Sequence, residues 1–184
     1  MGDRAAAKQR REVGCESRGL TVPPSIASAS KALRLLLDCE LTKSMPGLKV
    51  TMTPLDRARE GGTGRQVNAY LFDIHEDAGR RNASLGSVSA PPLALTLHYI
   101  VTAYGDDEEG SAGTDSHVVL EAVLSVLKSA PRLILGQSAS DGFATVSLSR
   151  MPIEDLCRLW TVFQTPYRLS VICEVSIFHG EGER

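Results

Sequence analysis

The chain has 184 residues, the span of one ordinary domain and too little for two. Hydrophobic residues make up 42%, which excludes whole-chain disorder, and Lys+Arg 20 against Asp+Glu 22 leaves a net charge of -2, a poor match for a protein that lives on phosphate backbones. No run approaches the roughly 18 apolar residues of a membrane span, and Met1-Gly2-Asp3-Arg4 leads into charge rather than an apolar signal core, so a cytosolic chain is expected.

Residues Met1 to Gly19 carry Arg4, Lys8, Arg10, Arg11 and Arg18 with Val13 as the only large apolar residue, which predicts a mobile, mildly basic arm. Residues 20–184 then read as a single α/β domain. After Pro23-Pro24, Ser25 is placed to cap a helix in which Ile26, Ala29, Leu33, Leu36, Leu37 and Leu41 recur at helical spacing. Pro46-Gly47 ends it, and Leu48 to Thr53 predicts a short strand. Pro54 to Gln66 has no periodicity and reads as a flexible loop.

Val67 to His75 and Leu93 to Tyr104 predict strands; in the second, Leu93, Leu95, Leu97, Tyr99 and Val101 alternate with Ala94, Thr96, His98 and Thr102. The polar segments Glu76 to Pro92 and Gly105 to Gly113 predict loops. Thr114 can cap a second helix running to Ala130, whose Val118, Val119, Ala122, Val123, Val126 and Leu127 leave a narrow polar stripe and predict deep burial. A short strand at Leu133 to Leu135 and another from Phe143 to Ser149, with Ala144, Val146 and Leu148 inward, follow. Pro152, Glu154 and Asp155 suit the start of a third helix whose apolar face holds Ile153, Leu156, Cys157, Trp160 and Phe163. The last strand, Tyr167 to Phe178, alternates Tyr167, Leu169, Val171, Cys173, Val175 and Ile177 against polar positions. The fold class is thus α/β (α+β), a mixed, largely antiparallel sheet packed against about three helices.

Little in the chain points to chemistry. Cys15, Cys39, Cys157 and Cys173 form no C-x-x-C pair and have no His at finger-like spacing, so structural thiols are expected and no zinc site. Gly61-Gly62-Thr63-Gly64 lacks the Gly-Lys-Ser/Thr ending of a phosphate loop, and Asp106-Asp107-Glu108-Glu109 lacks the spacing of a calcium loop. Ser138 lacks the second glycine of a nucleophile elbow. His98 and Glu174 lie on the polar faces of long strands; if those strands adjoin, the two could serve as a general acid-base pair in a small-molecule hydrolase. Otherwise they belong to a polar sheet face, wet or covered by another subunit. No catalytic set, metal or cofactor is assigned.

Three stretches are recognisable together: Val67-Asn68-Ala69-Tyr70-Leu71-Phe72 with Arg81-Asn82, Leu95 to Asp106, and Leu156 to Ser170 with its Trp-x-x-Phe-x-Thr-Pro-Tyr-x-Leu-Ser pattern. In these the chain resembles the cap, or tail-terminator, family of phage-tail-like contractile injection systems, over roughly Ser25 to Phe178. The resemblance centres on Tyr70, Tyr99, Tyr104, Gly105, Trp160, Phe163, Pro166 and Tyr167, and makes Arg81, Asn82, Asp106 and Asp107 candidate interface residues. It implies a non-enzymatic α/β protein that forms a homo-hexameric ring on the distal end of the inner tube and sheath, ends their polymerisation and couples them. Sheath and inner-tube proteins are the implied partners, with no nucleic acid and no membrane span. The chain departs from the family pattern in its Met1 to Gly19 arm. The competing classes are the hydrolase and a generic adaptor domain.

Overall fold

The computed structural model describes residues 25–60, 62–77, 94–106, 114–136 and 142–178. The expected arm, the loop from 78 to 93 with Arg81 and Asn82, and Asp107 and Ser138 lie outside the described residues.

Ser25 caps the first helix as its position predicts. Its hydroxyl accepts the Ser28 backbone N–H at 3.1 Å while the Ser28 hydroxyl accepts the Ser25 N–H at 2.8 Å, a reciprocal capping box. From there α1 (Ile26–Ser44) turns Ala29, Leu33, Leu37 and Leu41 inward. Gly47, at φ 88, then swings the chain into β1 (Lys49–Thr51), a backbone conformation that side chains with a Cβ resist. The order continues through a 3-10 turn (Leu55–Arg57), β2 (Gln66–Glu76), β3 (Leu95–Tyr104), α2 (Thr114–Ser129), β4 (Arg132–Ile134), β5 (Phe143–Ser149), α3 (Ile153–Val162) and β6 (Ser170–Phe178). The strands form one sheet in the order β1-β2-β3-β6-β5-β4. Only β1 and β2 run parallel; every other pair is antiparallel. The α+β class expected from the sequence is the one found.

Because side chains alternate along a strand, β3 at the centre of the sheet supplies two layers. Leu97, Tyr99, Val101 and Ala103 join Cys173, Val175 and Ile177 of β6 under α1 and α2 in the larger core. Tyr99 reaches Ser30 of α1 through a 2.7 Å hydrogen bond between hydroxyls, and burial pushes its pKa up to about 12. Burial likewise pushes the Cys173 thiol up to about 12, with the Glu174 charge adding to the effect, so this thiol is inert. On the opposite face Ile100 and Ile172 meet Leu55, Leu156 and Trp160, so α3 and the 3-10 turn form a third layer.

The β1–β2 pair is locked by polar atoms that the apolar pattern conceals. Asn68, fully buried, accepts from Thr51 Oγ1 at 2.8 Å and the Thr53 N–H at 3.0 Å, and donates to the Thr53 carbonyl at 2.9 Å. Gln66 Nε2 donates to Thr51 Oγ1 at 2.8 Å and to the Ala58 carbonyl. With Leu55, Ala58 and Gln66 all buried, the segment after Pro54 is anchored and is not the flexible loop its lack of periodicity predicts.

Other expectations are corrected in the same way. The third helix buries Leu156 and Trp160 but leaves Ile153 52% exposed, because Ile153 sits at the helix start beyond the sheet. Cys39 and Cys157 are exposed, so neither is the small buried hydrophobe that its helical pattern implies. Val118 and Leu148 are exposed as well. The last strand begins at Ser170, so Tyr167 and Leu169 precede it and stand in the open.

Trp160, 1% exposed, is the largest fully buried side chain and closes the third layer. Trp160→Ala is expected to cost about 3–5 kcal/mol in urea unfolding, and Asn68→Ala about 1–3 kcal/mol, since it strands buried polar partners. A Trp160→Ala protein as stable as the parent would contradict this layer assignment.

Candidate functional site: the α3 face of the sheet

Along β3 the residues from Thr96 to Tyr104 that share a face with Ile100 form a row, and each meets a different partner. Thr96 lies 3.3 Å from the Ser176 hydroxyl, and Thr102 lies 2.9 Å from that of Ser170. His98 and Glu174 are opposed across the β3–β6 ladder, with Nε2 3.2 Å from Oε1. The juxtaposition that the sequence leaves conditional therefore exists. Ile100 at the centre is roofed by Trp160.

At the Tyr104 end a charged corner forms. The guanidinium groups of Arg59 and Arg168 lie over the buried Tyr104 ring, 5.1 and 5.0 Å from its centroid, within cation–π range. Arg59 also donates to the Gly64 carbonyl at 2.6 Å. Arg65 grips Asp115 of α2 in a forked contact, Nη2–Oδ1 2.6 Å and Nε–Oδ2 3.1 Å, and the Asp106 N–H donates to Asp115 Oδ2 at 2.9 Å. Gly105 is required here by close approach: a Cβ would sit 3.0 Å from both the Asp115 side chain and the Ser116 backbone nitrogen. Asp106 is exposed at this corner with a carboxylate oxygen 3.7 Å from Arg65.

The motif that follows α3 makes a sharp return. Gln164, at φ 51, adopts the left-handed conformation, and the chain doubles back so that the Tyr167 ring meets Trp160 edge-on at 6.3 Å. Phe163 meets Tyr70 of β2 edge-on at 5.4 Å. Pro166 and Tyr167 are exposed, whereas Tyr99, Tyr104, Gly105 and Trp160 are buried and Tyr70 and Phe163 half-buried. Between this return and the start of α3 lies an open groove of about 580 Å³, lined by Met151, Ile153, Leu156, Tyr167 and Leu169 among others. Leu169 is 51% exposed there, and with Ile153 and Tyr167 it forms an apolar patch on the rim of the third layer.

Arg59, Arg65 and Asp115 carry the corner but stand out in no local pattern, because their contacts join segments far apart in sequence. Asn68 does carry a signal in the sequence, because a lone amide inside an apolar strand needs buried hydrogen-bond partners. Among the described residues no helix is long and apolar enough to cross a membrane.

The sequence model of the Pvc16 N-terminal domain family matches residues 28–184. The chain belongs to that family. Two solved structures share its fold. One is the sheath/tube terminator, in the extended state, of the extracellular contractile injection system PVC, with TM-score 0.58 and 17% identity, covering 87% of this chain and 59% of that one. The other is the tube-terminating cap of the anti-feeding prophage, with TM-score 0.60 and 16% identity, covering 86% of this chain and 57% of that one. This chain thus spans less than two thirds of either. No curated protein sequence matches.

The corner gives a pH-dependent expectation. The Arg65 hydrogen bonds, and next the Asp106 N–H, hold the Asp115 carboxyl below its usual value. A depressed folded-state pKa contributes stability that is complete above about pH 4 and is lost as pH falls through the folded value. Asp115→Asn is therefore expected to lower stability at pH 7 by at most about 1 kcal/mol, the scale of a partly exposed pair, with the deficit shrinking below about pH 4. Thermal unfolding of both proteins from pH 3 to pH 7 checks this; a deficit that grows on acidification would contradict it.

Proposed function

We propose that this chain is the cap, or tail terminator, of a contractile injection system: it sits on the distal end of the inner tube and sheath, ends their polymerisation and couples the two. The observation that carries the reading is the shared fold with two such terminators, over 87% and 86% of this chain, within an assigned family. Its partners are a second copy of itself, in a homo-hexameric ring, and the sheath and tube subunits. Closed rings use head-to-tail contacts that bring two different patches of one surface together, and this chain offers several.

Two features supply them. The apolar rim of Ile153, Tyr167 and Leu169 is a surface a protein partner would cover. The sheet also has short edge strands: among the described residues β1 pairs only with Gln66 to Asn68, and β4 only with Phe143 to Thr145, so no strand pairs with the outer side of Tyr70 to Asp73 or of Ser147 to Ser149. Such edges accept an added strand from a sheath or tube arm. The polar segments 76–92 and 105–113, with Arg81, Asn82, Asp106 and Asp107, and the basic arm 1–19 complete the contact set around the domain of residues 20–184. Assembly needs no turnover, so the role is non-enzymatic, carried out in the cytoplasm as particles form.

Deleting the gene is expected to leave particles absent, unstable or of irregular length when imaged by negative stain. Restoring it as the Ile153→Asp, Leu169→Asp double variant, whose changes lie on exposed positions, is expected to give folded protein but few regular particles. Regular contractile particles without the protein would overturn the cap reading. Full rescue by the folded double variant would remove the rim from the contacts.

A further inference from the structure

The histidine end of the β3 row has a feature outside the surfaces proposed above for assembly. Strict alternation along β2 would place Asp73 and His75 on the α1/α2 side, opposite Tyr70. A register shift after Leu71 inserts one extra residue, so that Leu71 faces Tyr99 and Asp73 faces His98. The bulge turns Asp73 and His75 onto the same face as His98. There the Asp73 carboxylate lies 2.6 Å from His75 Nε2 and 3.9 Å from His98 Nδ1, and the two imidazole rings meet edge-on at 5.0 Å. Ligating atoms from all three side chains lie within 4.8 Å of one another.

We propose that Asp73, His75 and His98 form a binding site for one divalent transition-metal ion per chain, with zinc the ion of best-matched ligand chemistry. Two imidazoles and one carboxylate are a set that zinc accepts, with a further position left open. Tetrahedral zinc with bonds of about 2.0–2.1 Å sets its ligand atoms about 3.3 Å apart, and the separations of the Asp73 carboxylate from His75 and from His98 bracket that value.

His98 is oriented for this role. Its Nε2 faces the Glu174 carboxylate, which can only accept, so the proton resides on Nε2 and the lone pair on Nδ1. Nδ1 is buried and has no hydrogen-bond partner among the described residues, an unmet need that a metal ion would satisfy. Glu174 thus acts as the outer carboxylate of a carboxylate–histidine–metal arrangement, a positioning residue rather than a ligand. The open coordination position faces a groove of about 210 Å³ between the bulge and the start of α3, lined by Phe72, Ser149, Pro152 and Asp155 among others, with room for water or a donor from outside. The inference stands apart from the cap reading and neither requires the other.

Untagged full-length protein, stripped with chelator and dialysed, provides the test. Isothermal titration with Zn²⁺ is expected to give saturable binding of one ion per chain, and Co²⁺ a visible absorption band that Zn²⁺ abolishes. His98→Ala and Asp73→Asn should each remove both signals, while His117→Ala, a histidine on α2 remote in sequence from the bulge, should leave them unchanged. Glu174→Gln should weaken binding by about 10–100-fold, the usual scale for loss of an outer partner. If His98→Ala does not fold, Asp73→Asn, at a half-exposed position, decides. Absence of saturable binding to the parent protein, or binding that survives Asp73→Asn, would overturn the proposal.

Discussion

The covering of β3 on both faces is the constraint on which the rest of the molecule depends. A central strand with apolar side chains in both directions cannot leave either face in water, and Ile100 with Ile172 is the part that α1 and α2 do not reach. Trp160 supplies the missing roof. That one requirement explains why α3 crosses the sheet, why the chain must double back after it at Gln164, and why Tyr167 and Leu169 end up standing on the rim. Dispersion and apolar burial hold this layer, since Trp160 Nε1 finds no hydrogen-bond partner among the described residues.

A roof over the middle of β3 leaves its two ends for polar work. At one end Tyr104 lies under two arginines, and Gly105 lets α2 approach closely enough for Asp115 to receive both Arg65 and the Asp106 N–H. At the other end the β2 bulge gathers two histidines and an aspartate beside Glu174. The same sheet thus carries a rigid corner, an apolar rim and a polar cluster on one side.

Much of the architecture was legible in the sequence because periodicity reports which residues share a face. The helices around Leu33, Val123 and Trp160 and the long strands around Leu97 and Val175 follow from it directly. Periodicity does not report how far the covering layer extends, which is why Ile153, Leu148, Cys39 and Cys157 carry the right spacing and still lie exposed. Nor can it see an inserted residue: the bulge at Phe72 reverses the parity of everything after it, and Asp73 and His75 reach His98 only through that reversal. The pairing of His98 with Glu174 was open to inference because both sit on strands that antiparallel packing brings together. The Arg65–Asp115 contact was not, since nothing local to either residue names the other. The family resemblance points to Gly105 and Trp160, whose contacts periodicity does not report.

The central claim is one of position: the protein belongs at one end of a tube and sheath. Labelling it with gold-tagged antibody on intact extended particles measures that position directly. The account predicts gold at one end of each particle, with nothing along the sheath and nothing at the other end. Gold distributed along the particle length, or absent from particles that are otherwise complete, would contradict it.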